Sequence, residues 1–206
     1  MTAGDAGAVV QGDSDTIALV PNYANPGTLD LAQASGTAQP IYNNGAVFDG
    51  TNDFLAAAFT ANTGPANATL VYIVKSSDTA FMLGGSNSTT YYSGIAESGS
   101  GSSASSNMGT PSYRVDGQDV PSEFSARSFL YLGWGTGSAV VAAIVGADYE
   151  NAAITDIRNY WGSNNTYAGN GTFCLVAILD GSDPDHANAL ALAETLASEQ
   201  ITALGL

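Results

Sequence analysis

The sequence predicts an all-β protein, a two-sheet antiparallel β-sandwich or jelly roll with a short C-terminal helix. Three observations carry this. The apolar runs are short and rich in β-branched and aromatic residues. Gly, Asn, Ser and Asp interrupt them at close intervals, and 24 glycines are spread along the 206 residues. Only the last stretch turns Ala- and Leu-rich, in the manner of a helix. The length is about one and a half ordinary domains, which sandwiches reach as one unit. Folding at this size buries roughly 70% of the chain's surface, so no metal or disulfide staple is needed.

Taken in order, residues 1–15 are Gly- and Asp-rich without periodicity and read as a flexible arm, with the sandwich over 16–206. Ala46-Val47-Phe48 is a strand followed by the turn pair Asp49-Gly50, and Phe54 to Phe59 is a second run. Leu70-Val71-Tyr72-Ile73-Val74 is apolar at every position, which predicts a central strand covered on both faces. Phe129 to Leu132, Val140 to Val145 and Phe173 to Leu179 read similarly. Tyr113 to Val120 reads as a hairpin, with Asp116-Gly117 supplying the two left-handed residues of a type I′ turn. Ser98 to Asn107 has linker composition and is taken as a loop, because neither flank carries a complete strand set. Asp183 is placed as the helix cap, Pro184 in the first turn and Asp185 at the positive dipole end. Ala187 to Leu204 is the helix, Gly205 its stop, and Ser198-Glu199-Gln200 the start of a second short turn.

Asp and Glu number 19 against 4 Lys and Arg, a net charge of −15. The cations Lys75, Arg114, Arg127 and Arg158 are scattered. Nucleic-acid binding needs clustered cations to replace phosphate counterions, so no nucleic-acid partner is expected. Anionic membranes repel such a surface, and no apolar run approaches the roughly 20 residues of a span. Cys174 stands alone in an apolar run and reads as a small buried hydrophobe. The N-terminal residues lack the basic and apolar regions of a signal peptide, so synthesis in a cytoplasm is expected. The Asn-x-Ser/Thr triplets at Asn67, Asn87, Asn164 and Asn170 are then read as turn residues rather than glycosylation acceptors.

Phe48-Asp49-Gly50-Thr51-Asn52-Asp53-Phe54-Leu55 resembles the "FDG-x-(D/N)-D-(Y/F)-L" signature of laminin-G-like domains in the concanavalin A-like lectin/glucanase superfamily. Leu29 to Pro40 resembles the lead-in "A-x-Q-A-T-x-x-x-Q-P" of viral and bacterial members. Thr69 to Lys75, the hairpin Tyr113 to Gly117, the strand Phe173 to Leu179 and the closing Leu196 to Ile201 follow in the family's order. The resemblance spans roughly residues 28–204; residues 84–112 carry no family landmark. It implies a jelly roll of two packed sheets. The family's roles include glycan binding, protein binding, adhesion, glycoside hydrolysis and structural service in phage particles, so fold alone does not choose among them.

Hydrolysis of glycosides needs two facing carboxylates. The family's "E-x-D-x-x-E" strand motif is absent, and Glu97, Glu123, Glu150, Glu194 and Glu199 lie far apart. Asp116 and Asp119 flank the hairpin turn and read as solvated. A nucleophilic triad needs a base, and His186, the only histidine, falls in the first helical turn, where it reads as solvated surface. Gly133 to Gly137 lacks the lysine and spacing of a phosphate loop. No catalytic residue is therefore assigned. No cofactor is required, but the resemblance allows a calcium ion, with Asp49, Asn52 and Asp53 as its ligands and Asn151, Asp156, Asn164 and Asn165 as further oxygens; the competing reading gives those residues to self-bonded turns. Tyr160, Trp161 and Tyr167, with Asn164 and Asn165, have the stacking faces and amides that sugar binding uses; Tyr91 and Tyr92 sit in similar surroundings. Packing of these aromatics into the sandwich rim is the plainer alternative.

These readings converge on an expectation: a non-enzymatic virion structural protein, a capsid decoration or a head fibre or spike component of a tailed phage. Its expected partners are capsid or other virion proteins and further copies of itself, in a homo-oligomer. The alternative is a carbohydrate-binding or adhesion module for host surface glycans.

Overall fold

The chain is described from a computed structural model, which covers residues 16–20, 30–42, 46–49, 53, 55–58, 60, 63–76, 82–86, 92–96, 111–119, 138–150, 156–158 and 170–206. Its strands are β1 (Leu19–Val20), β2 (Leu31–Ala32), β3 (Ile41–Tyr42), β4 (Ala46–Asp49), β5 (Ala56–Ala58), β6 (Ala68–Ser76), β7 (Met82–Ser86), β8 (Tyr92–Ala96), β9 (Ser112–Val115), β10 (Gln118–Asp119), β11 (Val140–Ala147), β12 (Asp156–Arg158) and β13 (Asn170–Asp180). One α-helix follows, α1 (His186–Leu204). The strands form two antiparallel sheets, ordered β1-β2-β5-β12-β7-β8 and β10-β9-β11-β6-β13-β4-β3. The all-β reading with a C-terminal helix holds. The expected strands at 46–48, 70–74, 140–145 and 173–179 all lie in the larger sheet, while Phe129 to Leu132, the linker-like Ser98 to Asn107 and the arm 1–15 fall outside the described residues.

β6 lies between β11 and β13 in the middle of the larger sheet. Successive side chains of a strand point to opposite faces, and here both faces are apolar. Leu70, Tyr72 and Val74 join Leu31 and Ala57 of the smaller sheet, and Leu55 just before β5, in one buried cluster. Val71 and Ile73 join Leu190, Ala193 and Ala197 of α1 in another. β11 divides the same way, with Val140, Ala142 and Ile144 facing the other sheet and Val141 and Ala143 facing the helix. The two-faced cover expected for residues 70–74 is present, and its second layer is the helix.

Two irregularities lie near the start of β6. The β13–β6 register shifts between Leu175 and Ala177, and the β11–β6 register shifts between Ile144 and Ala147. Each leaves one extra residue on the outer strand, which bends and twists it more strongly. The second contains Gly146 at φ 78°, a conformation that glycine adopts without strain. Beyond the first, both Val176 and Ala177 pack against the helix-side cluster.

The hairpin is as expected. Asp116 and Gly117 have φ 48° and 74° between β9 and β10, the left-handed pair of a type I′ turn. The turn is stitched to β11: Asp116 N–H donates to Val141 O at 2.8 Å, and Val141 N–H donates to Asp116 Oδ1 at 2.9 Å.

The helix departs from expectation in two places. Asp183 is not its cap. The Asp183 carboxylate instead accepts the N–H of Asp185 at 2.8 Å, a turn that delays the helix and leaves Asp185 at the N-cap position. Pro184 therefore lies before the helix, not in its first turn. Nor does a second turn begin at Ser198: α1 runs unbroken through Ser198-Glu199-Gln200, because Ala197 and Ile201 continue its inward stripe. The end is as expected. Gly205 is left-handed at φ 66°, and Leu206 N–H closes back on Ile201 O at 3.1 Å. No described helix is long and apolar enough to cross a membrane.

Candidate functional site

The described residues include three groups of polar side chains with chemical capability. The first takes in Gln33, in the family-like lead-in, and Asp53, within the family-like phrase. Both are buried, at 8% and 5% exposure. Gln33 Oε1 accepts Ser35 N–H at 2.9 Å, and the Gln33 carbonyl accepts Gln39 Nε2 at 2.8 Å. The two glutamines of the lead-in thus fasten one turn. The Gln33 Nε2 has no hydrogen-bond partner.

The second joins α1 to β6. His186 Nε2 lies 2.8 Å from Thr69 Oγ1. His186 is half-buried, which corrects the solvated-surface expectation: the first helical turn leans on the sheet rather than facing water. An imidazole beside a hydroxyl is the first half of a nucleophile–base pair. Thr69, however, is 0% exposed, so no substrate reaches its hydroxyl, and the pair serves as a tether. Nearby, Asp180 accepts Ser182 Oγ at 2.6 Å and Ser182 N–H at 2.8 Å. Those two bonds, hydroxyl first, hold its carboxyl below the usual range, with help from His186.

The third joins α1 to the hairpin. Arg114 Nε and Nη2 grip Glu194 Oε1 and Oε2 at 2.8 and 3.1 Å, a two-pronged pairing. Nη1 reaches Asp119 at 2.6 Å, and Nη2 also donates to the Gly117 carbonyl at 2.7 Å. The Glu194 hydrogen bond is the main reason that the guanidinium holds its proton more tightly than usual. Asp119, expected as a solvated turn residue, is exposed and also ion-paired. Arg114 thus holds the hairpin to the helix through Glu194 and braces the hairpin itself through Asp119 and Gly117. Sequence reading missed this pair. Its signal was Glu194 on the helix's inward stripe, in a chain with only four cations to meet it.

Beside Arg114, the Tyr113 hydroxyl is buried without a hydrogen-bond partner, and burial pushes its pKa up to about 12. Removing an unsatisfied buried group is neutral or favourable. Tyr113→Phe is therefore expected to leave the urea midpoint unchanged or raise it, by up to about 1 kcal/mol of stability. The sign in alkali follows from the raised value. The unfolded tyrosine ionises near 10 and the folded one near 12, so stability falls as pH rises through that window. Tyr113→Phe should lessen this loss; an unaltered alkaline profile would contradict the burial of the hydroxyl.

Of the proposed calcium ligands, Asp53 is the one whose side chain is described, and it is buried. Asp49 ends β4, opposite Asn170 of β13, and Gly50, which would continue its expected turn, lies outside the described residues. Asn52 lies outside the described residues. Among the described residues, no three His, Cys, Asp or Glu side chains converge as a metal site. Tyr160, Trp161, Asn164, Asn165 and Tyr167, the proposed glycan residues, all lie outside the described residues, as does Tyr91; Tyr92 opens β8. Asn67, read as a turn residue, sits in a turn at φ 49°. Comparison with known proteins finds no matching family model, no matching curated protein and no matching solved structure.

Proposed function

We propose that this chain is a non-enzymatic structural protein of a virus particle, a capsid decoration or a head fibre or spike component of a tailed phage. We further propose that its two sheets form a concanavalin A-like, laminin-G-like jelly roll. One observation carries the reading: three of the described polar side chains join one element of the fold to another. His186 ties the helix to β6, Arg114 ties the hairpin to the helix, and Asp116 ties the hairpin to β11. That is the economy of a scaffold. The resemblance at Phe48 to Leu55 and the strand, hairpin, strand and helix order support the family assignment.

With four cations in the chain, docking to capsid or other virion proteins is mostly apolar and backbone-mediated. The rival reading, recognition of host glycans through Tyr160, Trp161 and Tyr167, predicts a sugar-competable signal on a glycan array. The direct test is mass spectrometry of purified particles. The chain is expected there in fixed stoichiometry to the major capsid protein. Particles that lack it would overturn the proposal.

A further inference from the structure

The loop that leads into α1 contains the one Asp–Pro bond of the chain, Asp183–Pro184. Such a bond is a weak point in any polypeptide. The proline nitrogen belongs to a tertiary amide and leaves readily once protonated, and the aspartate carboxylate can close a five-membered ring on its own carbonyl carbon. Here the bond is also held from both sides. Upstream, Asp183 N–H donates to Asp180 O at 3.2 Å, and Gly181 N–H donates to Asn67 O at 2.8 Å. Downstream, His186 opens α1 and is tethered to Thr69 at 2.8 Å. Two contacts bear on the bond itself. Asp183 Oδ1 accepts Asp185 N–H at 2.8 Å, which folds the carboxylate back along the Asp183–Pro184 peptide. The Asp183 carbonyl oxygen accepts His186 N–H at 2.9 Å. Asp183, Pro184 and Asp185 are all exposed.

We propose that Asp183–Pro184 is a self-cleavage site that separates α1 from the sheets. Asp183 Oδ2 attacks the Asp183 carbonyl carbon and forms a C–O bond to it. The electron pair of the carbonyl moves to its oxygen, where the His186 N–H stabilises the charge as it develops. When that pair returns, the bond to the Pro184 nitrogen breaks, and the nitrogen takes a proton from water or a buffer acid. A cyclic anhydride is left on Asp183, and one water molecule opens it to two carboxyl groups. The net change is one peptide bond broken and one water consumed. It leaves a chain ending at Asp183 and a chain beginning at Pro184. The exposure of the loop gives that water its access. After the cut α1 is a separate chain, retained by Leu190, Ala193 and Ala197 in their buried cluster and by the Glu194–Arg114 pairing. The inference goes beyond the virion reading and does not depend on it.

Intact mass spectrometry under denaturing conditions, on the full chain incubated at about pH 5, tests the proposal. Carboxylates are largely ionised there, and acid is available to the leaving nitrogen. Two chains are expected, 1–183 and 184–206, with masses that sum to the parent plus one water. The folded chain should cut about tenfold or more faster than the same chain unfolded in urea, because only the fold holds the carboxylate and the His186 N–H in place. Asp183→Glu, whose ring would be six-membered, and Pro184→Ala, whose nitrogen leaves less readily, should each slow the cut by about tenfold or more. Both variants should stay folded, since both positions are exposed. A parent that stays intact, or that cuts no faster folded than in urea, would overturn the proposal. So would an Asp183→Glu variant that cuts like the parent.

Discussion

Gly181→Ala is expected to cost about 2–4 kcal/mol and to lower the melting temperature by roughly 5–15 °C. Gly181 follows β13 directly. A Cβ there would lie 2.4 Å from the Asn67 carbonyl oxygen and 2.8 Å from Asn67 Cγ and Nδ2. The Gly181 N–H donates to that same carbonyl at 2.8 Å, so the strand end cannot retreat without losing the bond. Asn67 cannot give way either. It is left-handed, and it precedes the fully buried Ala68. Asn67→Gly would remove the side-chain clash and leave the carbonyl in place, so it should not rescue the variant. Gly36→Ala is the control. Nothing lies within 4 Å of its Cβ position, and its stability should change by no more than about 0.5 kcal/mol. A Gly181→Ala protein that melts like the parent would refute this packing of the β13 end on the turn before β6.

Arg114→Ala should be the most damaging change at the hairpin, at about 3–5 kcal/mol. The two carboxylates on Arg114 differ in environment. The side chain of Glu194 is 10% exposed and that of Asp119 is 83% exposed. An exposed pair contributes about 0–1 kcal/mol, so Asp119→Ala should have little effect. Removing Arg114 instead strands a nearly buried carboxylate, and desolvation without a partner is the larger cost. Replacing the pair together, with Arg114→Met and Glu194→Leu, removes that stranded charge and should recover most of the loss. Chemical denaturation of the three variants gives the ranking. If Asp119→Ala matched Arg114→Ala, or if the double variant were as unstable as the single, the buried pairing would be wrong.

The parts legible in the sequence are those where local pattern and tertiary role agree. Residues 70–74 announce two covered faces because no polar residue interrupts them, but nothing in the run says that the second cover is a helix. The hairpin is legible because Asp116-Gly117 is one of the few pairs that enters left-handed geometry cheaply. The helix start is not, since Asp183 and Asp185 are equally good caps until the Asp183 carboxylate takes the Asp185 N–H. The inward stripe His186, Leu190, Ala193, Ala197 and Ile201 has helical spacing, and its polar member is the one that finds Thr69 on the sheet. The Arg114–Glu194 pair joins residues 80 apart, beyond any local motif. Val176, at the β13 bulge, is an ordinary strand residue and gives no warning; Gly146 does.

The central claim is that β6 is shared between two covers, a second sheet on one face and α1 on the other. Nuclear Overhauser spectroscopy on methyl-labelled protein reads this directly. Val71 and Ile73 should show cross-peaks to Leu190 and Ala197, while Leu70 and Val74 should show them to Leu55 and Ala57. Val71 and Ile73 methyls that see no helix residue, or Leu70 and Val74 methyls that see the helix, would contradict it.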